Sequence, residues 1–545
     1  MSRKFSRNHS LSVVVAVITI LILSVALVAL AQMSGAGPRS SQHTVGPAQM
    51  ATDAQKPQVL FAKAAIYSSG PGEWPFADSV AVGDLNGDGK LDLAIGNSGL
   101  GTVAVLLGNG DGTFQTAVPY STGGGTPNAV VIADVNGDGK LDLVVANCSG
   151  DGCPSEEEGS VSVLRGNGDG TFQAAVSYSV WSVGSVAVAD VNGDGYPDLV
   201  AANDCQGVNC NNNGVSVLLN NGDGTFQPAV TYGVPGYISY SVAIADVNHD
   251  GKPDLLVANY CLDFSCESSS VVVLLGNGDG TFQPGTAYAS GYASTSLAVA
   301  DLNGDGHPDL VVADMGVWPN TYGEVSVLLG NGDGTFQPVV TYSSGAGGAY
   351  SVAVADVNGD GKPDIVVAEG GGKSYKTGVV GVLLGNGDGT FQKAVRYSSG
   401  VGTTPPDWYS TSSIAIGDVD GDGRPDLVVV DWCFSECSDA GVGVLLNKTT
   451  RAITTTVLTS SPNPSRTGQT VTFTATVSST RPIPDGQIVA FSTGQTKLGT
   501  ATTTNGVASL NTSFSKAKTY TIKASYAGSG FFGASSGTMK QVVEQ

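Results

Sequence analysis

The sequence predicts an all-β protein: a seven-bladed β-propeller followed by a β-sandwich. Three observations carry this expectation. An acidic nine-residue stretch, "DLNGDGKLD" at residues 84–92, recurs at 134–142, 190–198, 246–254, 301–309, 356–364 and 418–426. Each copy lies between short β-branched and apolar runs bounded by Gly, Asn and Asp, the pattern of strands joined by hairpins. The composition agrees, since 76 glycines with only 13% charged residues fit turn-rich β structure better than helical bundles or disorder. The net charge of −22 argues against nucleic acid or an anionic membrane surface as partner.

The N-terminal segment comes first. Arg3, Lys4 and Arg7 precede an uncharged apolar run over residues 11–30, and Ala29, Leu30 and Ala31 form a small-x-small cleavage pattern. Residues 1–31 therefore read as a secretory signal peptide, with an uncleaved N-terminal anchor as the alternative because the run is long enough to span a bilayer. Residues 32–57, rich in Ser, Gly, Pro and Gln, read as a flexible linker.

The repeats follow at spacings of 50 to 62 residues, and such self-similarity marks an array of like units. In each unit a run such as "SVAVAD" enters the acidic loop and "DLVVAN" leaves it. A variable insert, "VSVLLGNGDGTFQ" and a run ending in Tyr complete the unit. These are strands A, B, C and D, with "NGDG" as hairpin chemistry between C and D. Four antiparallel strands repeated radially make a propeller blade.

The seventh unit lacks its D strand, because "VGVLLN" at 442–447 runs on into "KTTRAITTT". The missing piece has a counterpart at the other end: "VLFAKAAIYSSG" at 59–70 matches "GTFQPVVTYSSG" at 334–345 in its Phe, its Tyr and its closing SSG. N-terminal sequence is thus expected to supply the outer strand of blade seven and close the ring.

Over residues 58–447 these units resemble FG-GAP/VCBS repeats, the blades of integrin α-chain propellers and of many exported bacterial proteins. The resemblance implies a calcium-binding propeller at or outside the cell surface, with ligands engaging the face away from calcium.

The acidic loop supports calcium on its own chemistry. Aspartates this close repel each other unless a cation intervenes, and oxygen ligands at alternate positions around a Gly-permitted turn suit Ca2+. In loop one the expected ligands are Asp84, Asn86, Asp88 and Asp92, with the backbone carbonyl of Lys90. Loop two offers Asp134, Asn136, Asp138, Lys140 and Asp142; loop three offers Asp190, Asn192, Asp194, Tyr196 and Asp198. Loop four has Asp246, Asn248, Asp250, Lys252 and Asp254, and loop five has Asp301, Asn303, Asp305, His307 and Asp309. Loop six has Asp356, Asn358, Asp360, Lys362 and Asp364. Loop seven, with Asp418, Asp420, Asp422, Arg424 and Asp426, replaces the asparagine by a fourth aspartate. An EF-hand would need a Glu at position 12, where Ile95 or Val145 stands, and flanking helices. With three acidic residues in each of six loops and four in the seventh, the loops hold 22 of the chain's 47. About seven structural Ca2+ would take the formal charge from −22 to −8.

Alternating strand direction puts the calcium loops on one face and the B–C and D–A connections on the other. The eight cysteines form close pairs just after strand B: Cys148/Cys153, Cys205/Cys210, Cys261/Cys266 and Cys433/Cys437. Short-loop disulfides are the expectation for an exported chain, with zinc binding the alternative. All five tryptophans fall on the same face, Trp74, Trp181 and Trp408 in D–A loops and Trp318 and Trp432 in B–C inserts. Tyr237, Tyr240, Tyr292, Tyr350 and Tyr409 join them. Such aromatics suit a glycan or protein ligand, or else wedge between blades.

The expected function is extracellular binding or adhesion, by a secreted or surface-held protein. The alternative is a secreted carbohydrate-active enzyme using paired carboxylates among Asp314, Glu324, Glu369, Asp407 and Asp431. The histidines offer no catalytic arrangement with Ser or Cys.

After Asn447 the chain turns rich in Thr and Ser. "QTVTFTATV" at 469–477, "GQIVAF" at 486–491 and "TYTIKASYAG" at 519–528 alternate as half-buried strands. Roughly seven strands over residues 453–545 predict a β-sandwich, and the segment resembles bacterial Ig-like domains used as spacers or stalks.

Overall fold

Seven four-stranded antiparallel sheets follow one another along the chain, and residues 454–544 form two further sheets. The computed structural model describes residues 59–68, 77–148, 159–203, 213–261, 268–316, 323–370, 378–400, 409–433 and 441–545. The expected signal peptide and linker lie outside the described residues. No helix occurs among those described.

In blade one, strand A is Ala77–Gly83, B is Asp92–Asn97, C is Thr102–Leu106 and D is Val118–Ser121. The same order recurs in blades two to six, whose A strands are Thr126–Ala133, Val183–Ala189, Tyr237–Ala245, Ser294–Ala300 and Ala349–Ala355. In blade seven A, B and C are Tyr409–Gly417, Asp426–Cys433 and Gly441–Leu445. Each A strand packs against the A strand of the next blade, and blade seven's packs against blade one's, so the A strands ring the axis and the array closes. Strand B of blades one to six is buried along its whole length apart from Tyr260, whereas D strands such as Val118–Ser121 are mostly exposed. That gradient is why B reads as a continuous apolar run and D as a mixed one.

The core lies between blades. Leu85, Ala94, Val103 and Val105 of blade one pack on Val130, Leu143, Val145 and Phe172 of blade two. Ala77, Leu93 and Ile95 of blade one pack on Val428, Val430 and Val442 of blade seven. The Phe of each "GTF" meets the Tyr that ends the preceding blade, in edge-on pairs such as Tyr120–Phe172, Tyr178–Phe226, Tyr232–Phe282 and Tyr288–Phe336, each with centroids 5.4 Å apart. Aromatic pairs of this geometry contribute about 0.5–1.5 kcal/mol each beyond the area they bury.

The outer strand of blade seven is Ala65–Ser68, antiparallel to strand C with Ala65 opposite Val444 and Ser68 opposite Gly441. Phe61 bridges Asn447 as Phe336 bridges Gly330, so the correspondence holds in the fold over the described residues 59–68.

The C-terminal domain pairs a three-stranded sheet (Thr454–Ser461, Thr470–Ser479, Val507–Ser513) with a five-stranded one. It has eight strands rather than roughly seven, because the two-residue strand Ser465–Arg466 runs parallel to Ser535–Glu544 at an edge too short to show alternation. Val471, Phe473, Val489, Phe491, Ile522 and Tyr526 fill its interior. The domain rests on acidic loops six and seven. Arg451 donates to the Asp422 and Gly530 carbonyls, and Arg481 donates to the Asn358 carbonyl at 2.8 Å.

Candidate metal centres and the opposite face

Each acidic loop winds on its own aspartates. In loop one the Asp84 carboxylate accepts from the backbone N–H of Asp88 and Gly89, at 3.1 and 2.8 Å. The Asn86 side-chain oxygen accepts from Asp88 N–H, and Asp88 accepts from Lys90 N–H. Gly89, at φ 79°, permits the turn, and each loop has a positive-φ glycine at this place. These bonds shape a short coil whose oxygens retain lone pairs, the donor set a hard cation takes.

The ninth residue does more than the sequence suggested. Asp92 is buried, and its two oxygens accept from Leu85 N–H at 2.9 Å and Gly108 N–H at 2.7 Å. It ties the start of the acidic loop to the end of strand C. All seven copies repeat this, through Asp142, Asp198, Asp254, Asp309, Asp364 and Asp426. Burial raises the Asp92 carboxyl, opposed by those two N–H bonds and assisted by Asp88 and Asp84 nearby. Asp364 is pushed up to about 8 and Asp426 to about 7 by the same cause. Crowded, desolvated carboxylates call for a positive partner.

In loop seven, carboxylate oxygens of Asp418, Asp420 and Asp426 lie within 4.8 Å of one another. Its Asp422 pairs instead with Arg424, and Lys448 reaches Asp420 at 2.7 Å. In loops one, two and four the Lys at position seven pairs with the Asp at position five at 3.3–3.7 Å. These exposed pairs offset little of the repulsion. The residues present thus fit an oxygen-coordinated divalent cation, which in loop seven positions one, three and nine would hold.

Of the residues expected on the opposite face, Trp74, Trp318, Trp408 and Asp407 lie outside the described residues, as do Cys153, Cys205, Cys210, Cys266 and Cys437. Trp432, Tyr409 and Cys433 are described only as backbone in strands A and B of blade seven. Cys148 and Cys261 are both in disulfides, with partners outside the described residues. Trp181 is half-buried in the turn between blades two and three.

The structure brings together tyrosines from three blades. Tyr240 and Tyr260 of blade four stack obliquely, with centroids 5.8 Å apart. Tyr292, before blade five, and Tyr350, in strand A of blade six, lie close enough to raise the Tyr260 hydroxyl, although burial is the larger cause. Tyr237 begins strand A of blade four on the same face. Tyr260 was not foreseen, since one Tyr ending a buried strand carries no sequence signal. Two non-glycine residues with positive φ flank the group, Ile238 at 60° and Ala293 at 60°. For a β-branched residue this backbone is a genuine outlier, and such strain gathers at functional sites.

The candidate catalytic carboxylates occupy a different place. Asp314, Glu369 and Asp431 are the sixth residues of strand B in blades five, six and seven, where Asn97, Asn147, Asn203 and Asn259 stand in blades one to four. All seven are fully buried. Asp314 accepts from the hydroxyls of Ser294 and Ser326, both at 2.6 Å, and Asp431 from Ser399. Sealed inside their blades, these three do not form an accessible carboxylate pair. Glu324 starts strand C of blade five opposite Asp314.

Burial pushes the Asp314 carboxyl from 3.8 up to about 7. A carboxyl raised on folding contributes stability that is complete below pH 4 and lost as pH rises to 7. Asp314→Asn, which installs the residue of blades one to four, is expected to remove that loss. Its melting point should exceed wild type at pH 8 by the equivalent of up to about 4 kcal/mol, and the two should converge near pH 4. Melts at both pH values check this; a variant less stable at pH 8 would contradict it.

Comparison with known proteins bears on the family. The FG-GAP-like repeat profile matches residues 84–145, 150–201, 203–257, 263–312, 313–367 and 368–429, segments that together contain all seven acidic loops. The bacterial Ig-like domain (group 3) profile matches residues 458–544. No curated protein matches the chain. Among solved structures, the chain is similar to the extracellular domain of a one-component system from B. thetaiotaomicron, at 10% identity and TM-score 0.41, covering 88% of this chain and 58% of that one. It is also similar to the extracellular domain of a hybrid two-component system from B. thetaiotaomicron, at 10% identity and TM-score 0.42, covering 89% and 60%. The chain therefore spans less than two thirds of either structure's length. With the repeat profile matched from the first acidic loop to the seventh, the chain belongs to the FG-GAP-like repeat family and carries a bacterial Ig-like domain after its repeats.

Proposed function

We propose that the protein is an exported, calcium-binding adhesion or capture protein whose ligand, a glycan or a surface protein, docks on the face opposite the acidic loops. The observation that carries this reading is the tyrosine group of Tyr240, Tyr260, Tyr292 and Tyr350, assembled from blades four to six beside two strained residues. Rigid aromatic faces bury area at low entropic cost, and a sugar ring stacks on them without needing charge. About seven Ca2+ in the acidic loops would act structurally, neutralising the loops that join strands A and B. The Ig-like domain would space or display the propeller.

A glycan and matrix-protein array probed with the full chain tests this. Tyr240→Ala with Tyr292→Ala is expected to weaken the strongest array signal by about 30-fold, the loss of a central aromatic anchor of about 2 kcal/mol. Trp181→Ala is expected to weaken it less, because blade two lies away from the group. A double variant that folds and binds as wild type would contradict the assignment of this face.

A further inference from the structure

Two histidines lie within the described part of the chain, and the fold brings them together. His249 belongs to loop four and His307 to loop five, 58 residues apart, yet His249 Nε2 and His307 Nδ1 are 2.8 Å apart. The rings are tilted by 51° with centroids at 5.0 Å, so the nitrogens, not the ring faces, meet.

Neither histidine is what its loop position ordinarily holds. His249 stands fourth in its loop with φ 58°, where the other six loops have Gly87, Gly137, Gly193, Gly304, Gly359 and Gly421, all at φ 70–77°. A side chain is disfavoured in this left-handed conformation, and the imidazole it carries points to the neighbouring blade. His307 stands seventh, where four loops have Lys. It covers Gly332 as Lys90 covers Gly110, which fixes its ring beside His249.

A calcium ion has little use for these atoms, since it selects oxygen. Two imidazole nitrogens converging from separate loops suit a borderline-soft divalent cation, of which zinc is the most available. Zinc–nitrogen bonds of about 2.0–2.1 Å in a tetrahedron need the two nitrogens ~3.3 Å apart, an opening of about half an ångström. Among the described residues no third His, Cys, Asp or Glu joins the two within ligand reach, so water would complete the shell and the affinity would be modest. We propose that His249 and His307 form a zinc-class site that bridges blades four and five, separate from the oxygen sites of the acidic loops.

The test is calorimetric titration of ZnCl2 into the full chain held in saturating calcium, so that the carboxylate sites are occupied. Wild type is expected to take up one zinc, raising the melting point. His249→Gly and His307→Lys, the residues of sibling loops, should each weaken that binding at least tenfold while retaining the zinc-free fold, and His249→Gly should leave the calcium stoichiometry unchanged. His249→Gly should melt no lower than wild type without zinc, because it relieves the left-handed side chain. Zinc uptake that is absent in wild type, or unchanged in both variants, overturns the proposal and leaves the pair as a hydrogen-bonded contact between blades.

Discussion

Removing residues 59–68 is expected to abolish the cooperative unfolding of the propeller. The segment supplies the outer strand of blade seven, where Ala65–Ser68 pairs with strand C. It also bolts both neighbours: Tyr67 packs edge-on against Phe114 of blade one at 5.4 Å, and Phe61 against Tyr397 of blade six at 5.0 Å. The Tyr397 hydroxyl donates to the Val59 carbonyl at 2.8 Å, and Val59 is buried in the core shared by blades six and seven. Deletion therefore breaks two of the seven interblade aromatic pairs and bares the edge of strand C. The summed loss is several kcal/mol, comparable with the ~5–15 kcal/mol that separates a folded domain from its unfolded chain. Calorimetry should show the propeller transition lost or broadened, whereas Tyr67→Ala should lower it by about 3 kcal/mol and keep it cooperative. A deletion that melts like wild type would contradict closure by this strand.

Chelation of calcium is expected to have an effect of similar size. An ion that binds only the folded loop stabilises by about 2.7 kcal/mol when present at a hundred times its dissociation constant, and the contributions of separate loops sum. Several loops together would exceed 10 kcal/mol. The repulsion relieved is local, since Asp92 is buried and the Asp84 and Asp88 charges act on it. Melts in 1 mM CaCl2 and in EGTA should differ by well over 10 °C. Equal midpoints would contradict the metal reading of the loops.

What the sequence disclosed, and what it hid, divides along the range of the contacts. Strand order, the A–B position of the acidic loop and the closing strand are written seven times in nearly the same words. Even the isolated 59–70 segment could be placed by its Phe61 and Tyr67. Contacts between units left no such trace. Arg451 and Arg481, which seat the Ig-like domain on loops six and seven, look like ordinary surface charges in sequence. The joining role of Asp92 and its six counterparts was masked because a metal ligand and a backbone acceptor call for the same residue. Asp314, Glu369 and Asp431 looked like accessible acids because they adjoin variable inserts, yet they are buried at the strand B position that asparagines hold in other blades. Tyr260 and the His249–His307 pair depend on how neighbouring blades are rotated about the axis, which no local pattern encodes.

Counting bound ions decides whether the acidic loops are calcium sites. Equilibrium dialysis of the full chain against calcium, followed by elemental analysis, is predicted to find about seven ions per chain. Asp134→Asn combined with Asp138→Asn should lower that count by one and leave the other sites filled. A chain that retains no calcium, or a single ion unaffected by those substitutions, would contradict the account.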